Sequence, residues 1–222
     1  MQTSKLAILT ATASFMFIGL AAFNPAAANC DGCLAGDSKA IWPEKNIPVC
    51  WESMDTEARD RQIVQDAVTN SWQKHSGLTF TGWGQCETDS DGLRIAVDDS
   101  YWPRVLNFGN YLDGFPDGVQ LNFNISQHPS FRGCAGKEDY CNKALATHEF
   151  GHALGFHHEQ NRSDRPRNDW CVQEKFQKDI PNEQLWGPFD MASIMNYCSP
   201  DWNGGGELSA GDIEGIAKAY PQ

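Results

Sequence analysis

Residues 144–159 read Ala-Leu-Ala-Thr-His-Glu-Phe-Gly-His-Ala-Leu-Gly-Phe-His-His-Glu. Positions i and i+4 of an α-helix lie on one face. His148 and His152 can therefore direct two imidazoles at one point, with Glu149 beside them. This spacing predicts an active-site helix that carries two metal ligands and an acid/base group.

The residues after this helix supply a candidate third ligand. Gly155 can adopt the backbone angles that end a helix, and the turn that it allows can bring His158 back toward the first two histidines. Three histidines leave the fourth coordination position of zinc open, as in a catalytic site and unlike a structural one. The sequence thus predicts one catalytic Zn²⁺ bound by His148, His152 and His158.

This pattern resembles the metzincin signature H-E-x-x-H-x-x-G-x-x-H, in which every fixed position is matched. Within the metzincins the chain is most similar to the astacins, on the residues around and after the third histidine: Phe156, Glu159, Arg162, Asp164 and Arg165. Downstream, Ser193–Tyr197 resembles the methionine turn, although Asn196 stands where astacins commonly have histidine.

The resemblance implies a role for two residues of this turn. Met195 is expected to form an apolar floor under the histidines, which is also what ordinary core packing would give. Tyr197 is expected to stabilise the oxyanion; the alternative is a buried tyrosine with a satisfied hydroxyl. The resemblance also implies that Glu159 meets the N-terminal ammonium of the processed chain, the alternative being an ion pair with Arg162 or Arg165.

The implied function is that of a secreted zinc endopeptidase. In such an enzyme Glu149 acts as the general base toward a zinc-bound water that attacks the peptide bond. The expected partner is a protein or peptide substrate. Two alternatives remain open: a zinc-binding protein without activity, and a zinc hydrolase that acts on another amide, such as a cell-wall cross-link.

The N-terminal sequence predicts export. A basic start, an apolar run over Leu6–Phe23 and an Ala-Ala-Ala sequence at 26–28 predict a signal peptide over residues 1–28, with a membrane anchor as the alternative. A short lead over 29–40 and a catalytic domain over 41–222 would follow. The expected location is extracellular, or periplasmic in a Gram-negative bacterium, with no membrane association after cleavage.

Composition supports a single globular domain. Seventeen Lys and Arg against 29 Asp and Glu give a net charge of −12, which argues against nucleic acid as a partner. Hydrophobic residues make up 41% of the chain, enough for a packed core. A monomer is expected.

The eight cysteines of a chain that is expected to be exported predict disulfides. The pairs suggested by spacing are Cys30–Cys33, Cys134–Cys141 and Cys171–Cys198. Cys30 or Cys33 could alternatively bind the zinc and hold the enzyme latent. A possible calcium site is suggested by oxygen ligands at loop spacing, although a plain turn would explain them too: Glu87, Asp89, Asp91 and Asp98.

The order of elements predicts an α+β, metzincin-like zincin fold. A long helix is predicted over 55–75 and the active-site helix over about 142–156. A final short helix is predicted near 208–213, with Ser209 and Asp212 as its capping pair. Four segments predict a small twisted mixed sheet, with an irregular C-terminal part around the methionine turn: 41–51, 78–83, 93–97 and 119–123. Residues 119–124 are the predicted edge strand for substrate.

Overall fold

The computed structural model describes residues 33–166, 179–199 and 201–222, which form the predicted α+β fold. Its helices are α1 (Ala58–Val68), α2 (Glu138–Ala153) and α3 (Ala210–Ala219). Its strands are β1 (Leu34–Asp37), β2 (Asn46–Trp51), β3 (Thr79–Gln85), β4 (Leu93–Val97), β5 (Arg104–Val105), β6 (Val119–Leu121) and β7 (Glu183–Trp186).

Five strands make the main sheet, in the order β3-β2-β4-β6-β5. The first four are parallel to one another, and β5 runs antiparallel to β6. The predicted edge at 119–124 is wrong, because Arg104 and Val105 pair with Gln120 and Val119 and place β5 outside β6. A two-residue strand is too short to show the alternation that identifies strands in a sequence.

Helix α1 packs against α2. Its predicted apolar stripe is buried at Val64 and Val68 and continues through a turn of π-helix to Trp72. The Trp72 indole N–H donates a 2.8 Å hydrogen bond to the Thr147 carbonyl of α2. This contact fixes the long helix against the middle of the active-site helix.

Helix α2 passes through the core and is enclosed on nearly all sides. From Cys141 to Ala153 every residue except Lys143 is buried. Phe150 meets Phe80 edge-on at 5.7 Å and stacks on Trp83 at 6.0 Å. Because α2 is buried on nearly all sides, the polar side chains that it carries lie in a low-dielectric interior.

A second, two-stranded sheet joins the N-terminal segment to the C-terminal half of the chain. Strand β1 pairs antiparallel with β7, and Leu34 and Ala35 are fully buried. Gly36 is required here, since a Cβ on it would lie 2.3 Å from the Gly155 carbonyl oxygen. The last part of the predicted lead, residues 33–40, is therefore packed into the fold.

Disulfides stabilise two of the loops. The predicted Cys134–Cys141 bond is confirmed, and Cys50–Cys86 is a further bond that spacing did not suggest. Cys198 is also disulfide-bonded; its predicted partner Cys171 lies outside the described residues, as does Cys30. The predicted signal peptide lies outside them too. Within the described ranges, no helix has the length and apolar character needed to cross a membrane.

Candidate metal centre

Three histidine side chains converge at the C-terminal end of α2. His148 Nε2 lies 3.2 Å from His158 Nε2, and His152 Nε2 lies 3.0 Å from the same atom. His148 and His152 are buried on the helix, whereas His158 follows the helix and is half-buried. The structure therefore brings together the three residues that the motif predicted.

The turn that returns His158 is fixed by main-chain hydrogen bonds. Gly155 has φ +93°, and the bonds from Phe156 N to Gly151 O and from Gly155 N to His152 O form a Schellman cap. Strand β1 then holds the next residues, because His157 N donates to the Ala35 carbonyl at 2.9 Å. The position of His158 thus depends on the N-terminal strand as well as on α2.

Two further groups close the end of α2. The Trp42 indole N–H donates to the Ala153 carbonyl at 2.8 Å, and the Tyr220 hydroxyl donates to the Leu154 carbonyl at 2.7 Å. These carbonyls have no partner within the helix, and burying them unpaired would be costly. Residues from both ends of the chain therefore stabilise the turn that carries His152.

The remaining ring nitrogens determine the tautomers. His148 Nδ1 contacts the Ile194 carbonyl at 2.8 Å, and His152 Nδ1 contacts the Phe156 carbonyl at 2.7 Å. A carbonyl only accepts, so each Nδ1 carries the proton and each Nε2 presents a lone pair. Burial lowers the pKa of His148 to about 4 and lowers the pKa of His152 as well, so both rings are neutral near pH 7.

This donor set fits zinc. Two neutral imidazoles present Nε2 lone pairs next to a third imidazole nitrogen, a set of donors that a cation lying among them can bind. Tetrahedral zinc with Zn–N of about 2.0–2.1 Å needs ligand nitrogens about 3.3 Å apart, close to the 3.0 and 3.2 Å separations found here. Carbonyl acceptors behind metal-binding histidines are the usual second layer of such sites.

Glu149 lies beside the histidines in a cavity of about 280 Å³ that His148 and Tyr197 also line. Its side chain is only 3% exposed, and Oε2 accepts no hydrogen bond from any described residue. Burial raises the pKa of Glu149 to about 8; a dication held at the histidines would lower it again. A buried carboxylate that lines a cavity can exchange a proton with a molecule that enters it.

The Tyr197 ring packs on two of the three histidines. Its ring stacks on His148 at 5.2 Å and lies 4.1 Å from the ring of His158, while 55% of the residue is exposed. Partial desolvation and the neighbouring Glu149 raise the pKa of Tyr197, so the phenol remains a hydrogen-bond donor. The structure therefore places Tyr197 at the cavity, beside His148 and His158.

Met195 is fully buried against α2 below the histidines. A Cβ on Gly151 would lie only 2.4 Å from Met195 Sδ, so the methionine sulfur occupies the space that this glycine leaves. The close approach explains the glycine between the two histidine ligands, and it agrees with the apolar floor that the sequence predicts.

Asp212 holds the methionine turn in place, a role that the sequence did not reveal. It accepts from the Ser193 hydroxyl at 2.6 Å and from Ile194 N at 2.9 Å. The same side chain completes the predicted capping box with Ser209. Asp212 thus supports the residue whose carbonyl orients His148; the capping pattern found the residue but could not indicate this second contact.

Glu159 fixes the chain that leaves the third histidine. Its Oε1 lies 3.0 Å from Arg162 Nη1 and accepts from Asp190 N at 2.8 Å. Both members of this pair are fully buried, and Arg162 also binds Asp164 through two 2.8 Å hydrogen bonds. The predicted ion pair with Arg162 is therefore present; the N-terminal ammonium predicted as the other partner of Glu159 lies outside the described residues.

The suggested calcium ligands are not gathered into one group. Within the described parts of the chain, His148, His152 and His158 are the only group of three or more His, Cys, Asp or Glu side chains whose potential ligand atoms lie close together. Asp98 instead accepts a 2.8 Å hydrogen bond from Ser100 N. Calcium stays a prediction without support from the geometry.

Comparison with known proteins agrees with this centre. Residues 136–210 match the family model described as Astacin, a peptidase family. The chain is 26% identical over 161 residues to the zinc metalloproteinase nas-25 of Caenorhabditis elegans, a match covering 64% of this chain and 40% of that protein. It is 27% identical to the astacin-like metalloprotease toxin 1 of Loxosceles intermedia, with 71% of this chain and 54% of the toxin covered. The chain thus spans about half or less of these curated relatives.

Solved structures show the same fold. Myroilysin superposes with a TM-score of 0.62 at 19% identity, covering 85% of this chain and 98% of that one. The hatching enzyme zinc-protease HCE-1 of Oryzias latipes gives a TM-score of 0.50 at 21% identity, with 81% and 94% covered.

Proposed function

We propose that this astacin-like metzincin is a zinc-dependent endopeptidase, with His148, His152 and His158 as ligands of one catalytic zinc ion. The observation that carries the proposal is the convergence of three imidazole nitrogens next to Glu149 on the same helix. Glu149 lines one cavity with His148 and keeps a carboxylate oxygen to which no described residue donates a hydrogen bond. Bound zinc supplies Lewis-acid chemistry, lowering the pKa of water to about 7 and polarising a carbonyl. A structural zinc site would have no need of the buried glutamate.

Glu149 is the general base in this proposal. Its carboxylate takes a proton from the attacking water and later gives it to the nitrogen of the leaving amine. Burial favours the first step, because a carboxylate removed from bulk water binds a proton more tightly, and it restricts exchange of that proton to groups in the cavity. The position of the side chain is fixed by α2, which is packed on all sides.

Tyr197 stabilises the oxyanion in this proposal. Its ring rests on His148 and its partial exposure leaves the hydroxyl able to turn toward the substrate carbonyl. A neutral phenol donates a hydrogen bond where negative charge develops, which lowers the barrier without a charge of its own.

The substrate would lie extended beside β5, the strand that forms one edge of the sheet. An exposed edge presents unpaired main-chain groups, so a peptide can add to it as a further strand. Export of the protein and a monomeric state belong to the same proposal. The signal-like N-terminal sequence and the Cys50–Cys86 and Cys134–Cys141 bonds support export, since disulfides persist in oxidising compartments.

The proposal is tested with purified protein, casein and elemental analysis. We expect one zinc per chain and cleavage within the casein chain. Glu149→Gln should keep the zinc and lose about 10²–10⁴-fold or more in rate, whereas Tyr197→Phe should lose less, with kcat reduced more than KM is changed. Glu44→Gln, at an exposed glutamate, is the matched control.

Three results would separate the alternatives. Zinc without cleavage of casein, and with no cleavage of small amides or cell-wall peptides, would leave a zinc-binding protein. Cleavage of small amides alone would indicate a different hydrolase. Cleavage that persists in Glu149→Gln would remove Glu149 from the mechanism.

A further inference from the structure

A second cavity adjoins the one that contains Glu149. It measures about 290 Å³ and is lined by Lys137 and Tyr140 together with the disulfide of Cys134 and Cys141. The Glu149 cavity measures about 280 Å³, and the two share Ser130, Phe131 and Trp202 as lining residues. We call the second one the flanking cavity. A molecule bound at Glu149 is therefore in contact with the wall of the flanking cavity.

Aromatic rings form that wall and lie open to solvent. Phe131 and Trp202 meet at 6.1 Å with their planes at 71°, and Tyr140 lies 6.2 Å from Trp202. Tyr140 is 41% exposed and Trp202 is 39% exposed. Large rings left partly in water around a cavity gain free energy when an apolar group enters, and their edges and faces suit another aromatic ring.

The flanking cavity is held in shape before anything binds. The Cys134–Cys141 bond joins residues seven positions apart and closes the segment that includes Lys137 and, in the first turn of α2, Tyr140. Cys134 and Cys141 are themselves buried in the second apolar cluster of the fold, with Leu145 of α2. A preformed cavity spares the bound group the cost of ordering its surroundings.

We propose that the flanking cavity is a substrate subsite that takes an aromatic side chain of the bound peptide. The inference rests on the proposed endopeptidase function and names a preference of that same site. In an extended peptide, side chains i and i+2 point the same way and lie about 6.6 Å apart. The subsite therefore binds the side chain that lies two residues away, along the peptide, from the side chain in the Glu149 cavity.

Lys137 adds to this preference. Among the described residues it is the only charged one that lines the flanking cavity, and it is exposed. Its alkyl chain can cover a bound ring and its ammonium group can lie over the ring face. The subsite thus favours Phe, Tyr or Trp over an aliphatic side chain, and disfavours Lys or Arg.

The test uses short peptides in pairs, Phe-x-Phe and Phe-x-Ala, in one host sequence of small residues. Hydrolysis is measured as kcat/KM with wild-type protein, and binding is measured by fluorescence anisotropy with zinc-loaded Glu149→Gln. We expect Phe-x-Phe to exceed Phe-x-Ala by about tenfold or more in both assays, as burial of one ring suggests. Moving the second Phe by one residue should remove the gain.

Variants connect the gain to the flanking cavity. Tyr140→Ala should reduce the advantage of Phe-x-Phe over Phe-x-Ala severalfold, while Tyr140→Phe should retain it. Phe115→Ala, at an exposed aromatic residue that lines neither cavity, is the control. Circular dichroism of each variant checks that the fold is intact.

Each outcome decides one of the two claims. Equal binding of the two peptides, or an advantage that Tyr140→Ala does not change, overturns the subsite. A binding advantage that depends on Tyr140, in a protein that hydrolyses neither peptide, supports the subsite and overturns the endopeptidase function.

Discussion

Replacing Asp212 is expected to show how strongly α3 supports the metal centre. The carboxylate accepts from the Ser193 hydroxyl, from Ile194 N and from Ser209 N, at 2.6, 2.9 and 2.9 Å. In Asp212→Ala the hydroxyl can turn away, but the buried N–H group of Ile194 and the partly buried N–H group of Ser209 lose their acceptor. At about 1–3 kcal/mol for each unsatisfied donor, the expected loss in the free energy of unfolding is about 2–6 kcal/mol.

Asp212→Asn should cost far less, because the amide can satisfy the same groups. Its Oδ1 can accept from Ile194 N and Ser209 N, while its Nδ2 donates to the Ser193 oxygen. That oxygen already accepts from Met195 N at 3.0 Å and has a second lone pair. We expect a loss of about 1 kcal/mol or less for Asn. Asp55→Asn, at an exposed aspartate, is the control.

The pH dependence of unfolding gives an independent test of the same residue. Burial raises the pKa of Asp212 from 3.8 to about 6. A raised carboxyl pKa means that the folded state binds the proton more tightly than the unfolded state. Stability from this group is therefore present at low pH and decreases as the pH rises from about 4 to about 6. Relative to Asp212→Asn, wild type should lose about 2 kcal/mol between pH 4.5 and pH 8.

The assay is urea unfolding of metal-free protein at both pH values, so that loss of zinc at low pH does not contribute. Zinc release to a chelator is measured separately, and Asp212→Ala should release it faster because the Ile194 carbonyl behind His148 is no longer held. Parallel pH profiles for wild type and Asp212→Asn, or equal losses in the Ala and Asn variants, would refute this account of Asp212.

Two further predictions concern glycines, with Gly84→Ala as the common control because its Cβ would meet nothing within 4 Å. A Gly→Ala replacement within a helix ordinarily stabilises the protein by about 1 kcal/mol. In Gly151→Ala, however, the new Cβ would lie 2.4 Å from Met195 Sδ, so urea unfolding should show a loss of about 1–3 kcal/mol in the free energy of unfolding. A gain in stability would contradict this account of the packing. Gly36→Ala would place its Cβ 2.3 Å from the Gly155 carbonyl oxygen and so disturb the turn that leads to His158. Competition with a chromophoric chelator should therefore show weaker zinc binding. An unchanged zinc affinity would contradict the dependence of His158 on β1.

Local patterns in the sequence were enough to predict the centre and the helices around it. His148, Glu149 and His152 belong to one helix, where spacing alone determines which side chains share a face. Ser209 and Asp212 were likewise recognised as a capping pair because the motif extends over only four residues. The Cys134–Cys141 bond closes a short loop, and proximity in sequence was sufficient to suggest it.

Features that depend on distant pairing were not predictable in this way. Strand β1 has four residues and pairs with β7 from the far end of the chain, and nothing local in either segment identifies the partner. Cys50 and Cys86 are joined because β2 and β3 are neighbours in the sheet, which only the topology determines. The error at 119–124 has the same origin, since the edge of a sheet is defined by which strand pairs last.

Main-chain carbonyls, and not the helix alone, orient the three histidines. Ile194 O contacts His148 and Phe156 O contacts His152, while the chain after His158 is tied to the methionine turn by a 2.9 Å bond from Glu159 N to Met195 O. Backbone groups of packed turns move less than side chains on a surface, so the nitrogens are held near their coordinating separations by the fold itself. Because the fold already orders the ligands, zinc binding loses little free energy to ordering them. Disturbing Asp212 or Gly36, neither of which is a zinc ligand, should therefore weaken zinc binding.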